Sequence, residues 1–489
     1  MNDHRGGVPG RASRLVATLV VLAACSDGTA PQLEDPLPTP YQVSPRGVRV
    51  NGVTRVLVIP TRLAGGAAPS ITPQQLRYEM FGGRDDGLVS RVYGLASGGR
   101  FALRGDVAPW VQTTVARNML NIDTLAAQAI RLVDAHVDFT RYDSDGPDGI
   151  PNSGDDDGVV DGGIAIMIPE LDMGCPGPGI HPFARLGWGI GTGAERTPFP
   201  TGDIGAGGTP IGITGFTIMS ARDCSDTRAN AAPLAHEFGH LLFGLPDLYH
   251  QADVTVPANE RWKGRRWVVG CWELMAAGSG WGGGAGAPPS VRLNSTFGAW
   301  TRLEIGWATP TVISPDVDAT YELRALDRAG GGTVLSLPIS DGERFLVEYR
   351  QQMAGDVGIP ADGVLIYHVV DSLPFWIDPA GPRRYRVMLM EADDDDALVR
   401  TWSEGGNRGV AFDAFGAAVR TFSSATHTGA RLADGSMLPF TIDEISFDRS
   451  AGQAWTRIRP GAATRVVRAS DACVPPRTCL VSQARVSAP

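Results

Sequence analysis

Residues 236–250 read HEFGHLLFGLPDLYH, and the preceding residues, NAAPLA (230–235), continue the same helical pattern upstream. In a helix, residues four apart lie on consecutive turns of one face, so His236 and His240 can direct ring nitrogens at one metal ion. Glu237 projects beside them, where a carboxylate can take a proton from a metal-activated water. The HExxH spacing therefore predicts a zinc site with Glu237 as general base. The alternative is a helix that carries two structural histidines.

A zinc site of this kind needs a third protein ligand, which leaves the fourth position for water. The helix is followed by Gly244, which can end it in the left-handed conformation, and by Pro246, which prevents its continuation. Such a turn would bring Asp247 back to the metal. The alternative is that Asp247 only caps the turn.

An acidic run, YDSDGPDGIPNSGDDDGVVDG (142–162), predicts a second metal site. Calcium takes six to eight oxygen ligands, and closely spaced aspartates between glycine turns supply them. The spacing is not that of an EF-hand, and a solvated acidic loop is the alternative. The later run ADDDDA (392–397) lacks glycines and is interpreted as solvated surface. The expected calcium ligands are Asp143, Asp145, Asp148, Asp157 and Asp161.

Strand and helix patterns alternate in the first part of the chain. VTRVLVIPTRL (53–63) and GIAIMIPE (163–170) read as buried strands, and NIDTLAAQAIRLVDAHVDF (121–139) has apolar residues at helical spacing. After residue 307 the texture changes to short strands separated by Gly, Asp and Pro turns. We therefore expect an α+β fold, with a catalytic domain followed by a β-sandwich-like C-terminal domain.

The N-terminus predicts export. Three arginines precede the apolar stretch LVATLVVLAA (15–24), which is too short to span a bilayer and is typical of a signal peptide. It ends in Leu-Ala-Ala-Cys25, which resembles a lipoprotein cleavage site, so Cys25 is the expected lipidation site and the outer membrane the expected location. Ordinary secretion with cleavage near Ala24 is the alternative. The net charge of −10 argues against a nucleic-acid partner.

The remaining cysteines suggest disulfides, since an exported chain reaches an oxidising compartment. Cys473 can close a small loop with Cys479, and Cys175 can pair with Cys224 or Cys271. The chain is divided into a signal peptide with lipobox (1–25), a Pro-rich tether (26–50), a catalytic domain (51–309), a β-rich domain (310–460) and a tail (461–489).

Several separated motifs resemble the immune inhibitor A family of secreted bacterial metallopeptidases. HEFGH with GLPDLY resembles its metal helix, and HVDFTRYDSDGPDG resembles its Asp-rich segment. CWELMAAGSGW and FGAWTRLEIGW resemble its methionine turn and closing helix, and MEADDDDALVR with NRGVAFDAF resembles its β-rich part. The resemblance covers roughly residues 52–450 and implies a zincin-like catalytic domain. It also implies that Met275 forms an apolar floor under the metal histidines.

The chain departs from the family pattern at one point. The family has six residues from the second histidine to the aspartate, whereas Asp247 lies seven after His240 because Phe243 precedes the glycine. An extra residue rotates everything after it by about 100° if the helix continues, so a wider turn must absorb it. His250 and Glu273 are therefore alternative third ligands. Tyr249 and Tyr367 are candidates to stabilise an oxyanion, and His368 is expected to be structural.

Together these features predict an exported zinc endopeptidase that acts on protein or peptide substrates, is anchored to the membrane through Cys25, binds structural calcium and is a monomer. One alternative is a surface binding protein that keeps the fold but has lost catalysis. A second alternative is a zinc hydrolase that acts on another bond, such as a glycan ester.

Overall fold

The apolar run around VLVIP forms the central strand of the largest sheet. The structure is a computed structural model that describes residues 42–461 apart from 84–85, 171–181, 192–196, 223–226, 281–293, 327–331 and 376–384. The elements up to residue 266 are β1 (Gly52–Ala64), α1 (Pro73–Phe81), α2 (Leu88–Ala96), β2 (Phe101–Val107), β3 (Val111–Ala116), α3 (Ile122–Val133), β4 (Ile164–Ile168), β5 (Phe183–Leu186), β6 (Phe199–Ile204), β7 (Pro210–Ile213), β8 (Gly215–Ser220), α4 (Ala231–Phe243), β9 (His250–Gln251) and β10 (Arg265–Arg266).

The largest sheet has six strands in the order β2-β1-β4-β8-β5, and β3 also pairs with β1. All of its pairings are parallel except that of β5 with β8, which is antiparallel. Two hairpins, β6-β7 and β9-β10, lie outside this sheet. Runs of apolar residues without polar alternation are expected in such strands, because a parallel sheet is covered on both faces.

Helices cover both faces of the sheet. Successive side chains of a strand point to opposite faces, so Val56 and Val58 enter one core with α1, α2 and α4, whereas Leu57 and Ile59 enter a second core with α3. Helix α3 begins at a side-chain cap, since Asn121 Oδ1 accepts from the Thr124 amide at 2.9 Å. The helix carrying the HExxH motif is thus packed directly on the sheet.

The second half of the chain is built mainly from antiparallel strands. Its elements are α5 (Ala299–Ile305), β11 (Thr311–Val312), β12 (Ala319–Arg324), β13 (Val334–Ser340), β14 (Glu343–Arg350), β15 (Gly363–Val370), β16 (Val387–Leu389), β17 (Phe440–Asp448) and β18 (Gln453–Pro460). One sheet has the order β11-β13-β14-β15-β16 and the other β12-β18-β17. One pair in these sheets, β11 and β13, is parallel. A third core lies between them and includes Phe345, Ile366, Ile442 and Ala454.

The five-stranded sheet is covered on both faces. Leu346, Leu365 and Tyr367 point away from the third core and belong to the first core, together with Trp272 and Trp300. The first core therefore extends across residue 309, and the described chain belongs to one compact unit. A mixed α/β class with few helices and several sheets is confirmed.

The described end of the predicted tether is packed against the fold. Val48 and Val50 are buried in the first core, and the Trp307 indole donates to the Val50 carbonyl at 2.7 Å. The Ser44 hydroxyl donates to the Leu242 carbonyl at 2.7 Å, at the end of α4. The part of the chain that packs into the fold therefore begins before residue 51, the predicted start of the catalytic domain.

Several predictions fall on residues outside the described ranges. These are the signal peptide, the lipidation site Cys25, the tail from 462, and the cysteines 175, 224, 473 and 479. Cys271 is described and is buried in the first core. Among the described residues, no helix is both long and apolar enough to cross a membrane.

Candidate metal centre

Helix α4 ends in a closure that is wider than the usual one. Gly244 adopts the left-handed conformation with φ +66°, and its amide donates to the His240 carbonyl at 3.0 Å. The Leu245 amide donates to the Gly239 carbonyl, six residues back, at 3.3 Å. In a Schellman motif the corresponding amide donates to the carbonyl five residues back, so this loop is one residue wider. The additional residue, Phe243, is accommodated by the loop, and the chain after Gly244 turns back toward the histidines.

Three side chains converge beside this closure. His236 Nε2 lies 3.0 Å from Asp247 Oδ1 and 3.1 Å from His240 Nε2. His240 Nε2 lies 3.4 Å from the same Asp247 oxygen. His236 is buried, and the other two side chains are partly buried. The structure groups Asp247, and neither His250 nor Glu273, with the two histidines.

Backbone carbonyls orient both imidazole rings. His236 Nδ1 lies 2.9 Å from the Leu274 carbonyl, and His240 Nδ1 lies 2.5 Å from the Leu245 carbonyl. A carbonyl only accepts, so each Nδ1 carries the proton and each Nε2 directs its lone pair inward. This orientation through the second ring nitrogen is common in metal-binding histidines.

The dimensions of the group fit a zinc ion. Two ligands bound at about 2.0–2.1 Å in a tetrahedral geometry lie about 3.3 Å apart, and the three separations here are 3.0, 3.1 and 3.4 Å. Two imidazole lone pairs this close repel each other unless a proton or a cation lies between them. His236, His240 and Asp247 can therefore hold zinc through two nitrogens and one oxygen.

Without a metal, protons balance the same charges. Burial lowers the pKa of His240, but the hydrogen bond and charge of Asp247 outweigh it and raise that pKa to about 9. Burial would raise the pKa of Asp247, but hydrogen bonds from both histidines hold it well below its usual range. The carboxylate and the imidazoles thus form one electrostatic unit that favours a bound positive charge.

Glu237 lies in the same helix turn with its carboxyl group buried. Its side chain is 4% exposed, and Oε2 accepts no hydrogen bond in the described structure. Burial raises the pKa of Glu237. A buried carboxyl group with a raised pKa and an oxygen without a donor is suited to accept a proton during a reaction.

Met275 lies under the metal helix. A Cβ atom added to Gly239 would lie 2.6 Å from Met275 Sδ, so the thioether is in direct contact with the helix backbone between the two histidines. The Met275 carbonyl accepts from the Leu248 amide at 2.8 Å, next to Asp247. This methionine therefore contacts both parts of the chain that carry the metal-binding side chains.

Glu273, an alternative third metal ligand by sequence, accepts hydrogen bonds from its own loop and from helix α5. Its carboxylate accepts from the Met275 amide at 3.0 Å, the Gly298 amide at 2.7 Å and the Thr301 hydroxyl at 2.9 Å. It is buried and shapes the loop that presents the Leu274 carbonyl to His236. The other alternative ligand, His250, has its Nδ1 3.4 Å from the Tyr385 hydroxyl.

The two tyrosines considered as oxyanion stabilisers are placed differently. The Tyr249 ring lies 6.4 Å from the His236 ring, at the candidate site. Tyr367 is 1% exposed, and its hydroxyl donates to Glu348 at 2.6 Å in the core. Its buried hydroxyl is thus committed to another carboxylate. His368 bonds Glu343 at 2.9 Å and stacks on Phe345, as expected for a structural histidine.

Three of the five predicted calcium ligands come together. Asp143, Asp145 and Asp161 each offer an oxygen within 4.8 Å of the others. Asp143 is 1% exposed, and its Oδ1 has no hydrogen-bond donor among the described residues. Burial, followed by the charge of neighbouring aspartates, raises the pKa of Asp143 to about 7 and that of Asp145 to about 6. An uncompensated buried carboxylate cluster of this kind suits a divalent cation.

The other two predicted calcium ligands lie at the edge of this group. Asp157 is near enough for its amide to donate to Asp145 at 3.3 Å, and its Oδ1 accepts from the Val159 amide. Asp148 is not one of the three grouped aspartates, and its Oδ1 accepts from the Ile150 amide at 2.8 Å and from the Ser153 hydroxyl. Asp156 is not among the predicted ligands. It accepts a hydrogen bond from the Gly146 amide, and its charge helps to raise the pKa of Asp143.

A third acidic group adjoins the run interpreted as solvated surface. Glu391, Asp393 and Asp413 each offer an oxygen within 4.8 Å of the others. Glu391 accepts from the Ala397 and Leu398 amides, and Asp413 accepts from the Val410 amide. Its carboxylates thus organise the local loops, and we assign it no ligand.

A scan against protein-family models found no match to the chain, and a search of curated proteins likewise found none. The functional interpretation therefore rests on the residues and their geometry. Sequence reasoning could not identify the carbonyls of Leu245 and Leu274, since a backbone acceptor has no signal in the residue type. It also passed over Arg265, whose position is described below.

Proposed function

We propose that the chain is a zinc-dependent endopeptidase that hydrolyses peptide bonds of protein substrates. The observation that carries this proposal is the convergence of His236 Nε2, His240 Nε2 and Asp247 Oδ1, with both Nδ1 atoms held by carbonyls. A zincin-like catalytic domain and a β-sandwich-like C-terminal segment are the fold assignments that accompany it.

Zinc held by these three residues would polarise the scissile carbonyl and lower the pKa of water toward neutrality. Glu237 would take the proton of the attacking water on its unsatisfied oxygen and pass it to the leaving amine. Burial assists this exchange, because it brings the pKa of Glu237 closer to the pH at which the enzyme works. Tyr249, whose hydroxyl hydrogen-bonds Asp247 beside His236, would exchange this bond for one to the developing oxyanion.

The wide closure supports catalysis over the alternative of an inactive binding protein. That alternative depended on the extra residue before Gly244 displacing Asp247. The Leu245-to-Gly239 hydrogen bond accommodates the residue, and Asp247 lies within hydrogen-bonding distance of His236. Glu237 would also be the expected first loss in a decayed enzyme, and it is present.

Hydrolysis of quenched fluorescent casein tests the proposal. The purified chain is assayed before and after chelation, with zinc and calcium added back separately. We expect activity that chelation removes and zinc restores, and a Glu237→Gln variant that binds zinc but loses about 10²–10⁴-fold in rate. A folded, zinc-loaded wild type without activity on casein or peptide libraries would favour the binding-protein alternative. Activity on a glycan ester alone would favour the second alternative.

We further propose that Asp143, Asp145 and Asp161, with Asp157 beside them, bind calcium that stabilises the fold. Export, and lipid anchoring through Cys25 to the outer membrane, complete the proposal from the sequence alone. A Cys25→Ser variant should leave the membrane fraction, and mass spectrometry of the wild-type N-terminus should detect acyl chains. An unmodified N-terminus that begins at another residue would contradict the anchor.

A further inference from the structure

Arg265 is held rigidly beside the candidate metal centre. Its guanidinium carbon lies 4.2 Å from the centre of the Tyr249 ring and 5.2 Å from that of Trp267. Its Nε donates to the Gln251 side chain at 3.2 Å, across the β9-β10 hairpin. Two aromatic rings and one hydrogen bond therefore fix the side chain, so little conformational entropy remains to be lost when it binds a ligand.

The charge of Arg265 has no acidic partner. Among the residues that the structure describes, no carboxylate oxygen lies within 4.0 Å of its guanidinium nitrogens. The next residue provides a contrast, because Arg266 pairs with Glu404 at 3.1 Å. Nη1 and Nη2 of Arg265 consequently keep donors in the forked geometry that matches a carboxylate.

Arg265 and His236 are both neighbours of the Tyr249 ring. The guanidinium carbon of Arg265 lies 4.2 Å from the centre of the Tyr249 ring, and the centre of the His236 ring lies 6.4 Å from that same ring centre. A residue adjacent to the scissile bond has its Cα within about 3.8 Å of that bond, and an acidic side chain extends further from it. A substrate carboxylate can therefore reach this part of the site.

The charge balance favours an anionic group on the substrate. With zinc bound, its two positive charges offset Glu237 and Asp247, and Arg265 adds one that remains uncompensated. The whole chain carries a formal charge of −10, which repels acidic substrates at long range. A local positive charge that survives in this setting is suited to selecting acidic substrates at short range.

We propose that Arg265 binds a carboxylate of the substrate next to the scissile bond and thereby sets cleavage specificity. This inference rests on the proposed peptidase function. The carboxylate has two sources, an acidic side chain within the peptide or a free C-terminus close to the cleaved bond. The chemistry of recognition is the same, and the peptides used in the test distinguish them.

The test uses the full chain with zinc and two sets of peptides read by mass spectrometry. In the first set, one residue on either side of the cleaved bond is Glu, Gln or Lys. In the second set, the peptide ends one residue after that bond as a free acid or an amide. We expect kcat/KM to be about tenfold higher for the carboxylate member of one set, the magnitude expected when one charge-assisted contact is gained.

The variants are Arg265→Gln and Arg265→Lys, with Arg266→Gln as the matched control. Arg265→Gln should lose the preference for the carboxylate, measured within the variant as the ratio of kcat/KM between the carboxylate and the neutral peptides. Arg265→Lys keeps the charge but not the fork and should retain part of the preference. Arg266→Gln removes an adjacent, paired arginine and should retain all of it.

Each result decides the inference. A carboxylate preference that disappears in Arg265→Gln and persists in Arg266→Gln supports it. Casein hydrolysis by the wild type without any carboxylate preference overturns the inference but leaves the proposed function intact, as does a preference that survives in Arg265→Gln. A wild type that cleaves neither casein nor any peptide overturns both.

Discussion

The amide of Leu245 donates to the carbonyl of Gly239, and this hydrogen bond places Asp247 at the metal centre. It closes a loop one residue wider than a Schellman motif, with Gly244 in the left-handed conformation. The metal-binding geometry therefore depends on the backbone of the helix end as much as on the side chains.

Phe243 is the additional residue that the wide closure accommodates, and its packing can be tested by substitution. Its ring is buried and lies 5.0 Å from Trp307 and 5.5 Å from Phe101. Phe243→Ala should cost about 3–5 kcal/mol in the free energy of unfolding, and deletion of Phe243 should also reduce zinc content. Urea unfolding and metal analysis measure both effects. Phe243→Leu is the control and should cost less than about 1.5 kcal/mol. A deletion variant that is more active than the wild type would contradict the role of the wide closure.

Gly239→Ala tests the contact between the metal helix and Met275. Alanine stabilises a helix interior by about 1 kcal/mol relative to glycine, so the variant would unfold less readily than the wild type if the added methyl group had space. The added Cβ would instead lie 2.6 Å from Met275 Sδ, so this buried side chain must shift. We expect zinc affinity to fall, measured by competition with a chromophoric chelator. Combining Gly239→Ala with Met275→Ala should recover part of the affinity, since the smaller side chain makes room.

Glu273→Gln tests whether this carboxylate positions the site or binds the metal. A glutamine cannot accept at both side-chain termini, so the bond from either Met275 or Gly298 is lost. We expect zinc affinity to fall about 10–100-fold, because the loop that orients His236 loosens. Cobalt substituted for zinc should show the same visible bands in the variant as in the wild type. The Asp247→Asn variant is the comparison and should shift those bands. A band shift in Glu273→Gln would identify Glu273 as a ligand.

In the absence of calcium, the free energy of unfolding should decrease as the pH rises and the carboxyl groups of the acidic loop lose their protons. The pKa values of Asp143 and Asp161 are raised from 3.8 to about 7 and about 8, chiefly by burial. Raised folded-state values mean that the unfolded chain releases these protons first, so their contribution destabilises the fold progressively between about pH 4 and pH 8. Calcium should reverse this trend because it binds the ionised carboxylates.

The measurement is the melting temperature across that pH range in chelator and in calcium. The difference between wild type and an Asp143→Asn, Asp161→Asn double variant isolates these groups from the other titrating residues. Asp148→Asn is the control, because Asp148 lies outside the cluster, and it should preserve the calcium response. A wild type that gains stability relative to the double variant as the pH rises in chelator would contradict the assignment.

Elements with strong periodicity could be predicted from the sequence. The helix expected over 230–243 is observed as Ala231–Phe243, and the strand expected over 53–63 as Gly52–Ala64. Helix α3 ends at Val133, before the predicted 139, because Phe139 starts a separate short turn that Asp138 caps. Hydrophobic spacing identifies the face of an element more reliably than its end.

The turn at Gly244 and Pro246 favours Asp247 as the third metal-binding residue, but the sequence leaves His250 and Glu273 open. The backbone path after the helix, which residue types do not specify, is what groups Asp247 with the two histidines. The acidic loop shows the same limit. Asp148 was selected by composition, but its carboxylate accepts from its own loop at Ile150, whereas Asp156 lies closer to the cluster. Which aspartates converge depends on the path of the loop, and composition does not record that path.

The five-stranded sheet that contributes to two cores also determines how the chain can come apart. Its strands β14 and β15 place Phe345 and Ile366 in one core and Leu346 and Leu365 in the other. Neither half can unfold without exposing an apolar face of the other, so the chain should melt in one cooperative transition. A protease that nicks a surface loop near residue 309 would then leave two fragments that stay associated. For the exported peptidase that we propose, such a fold would tolerate cuts in its own surface loops.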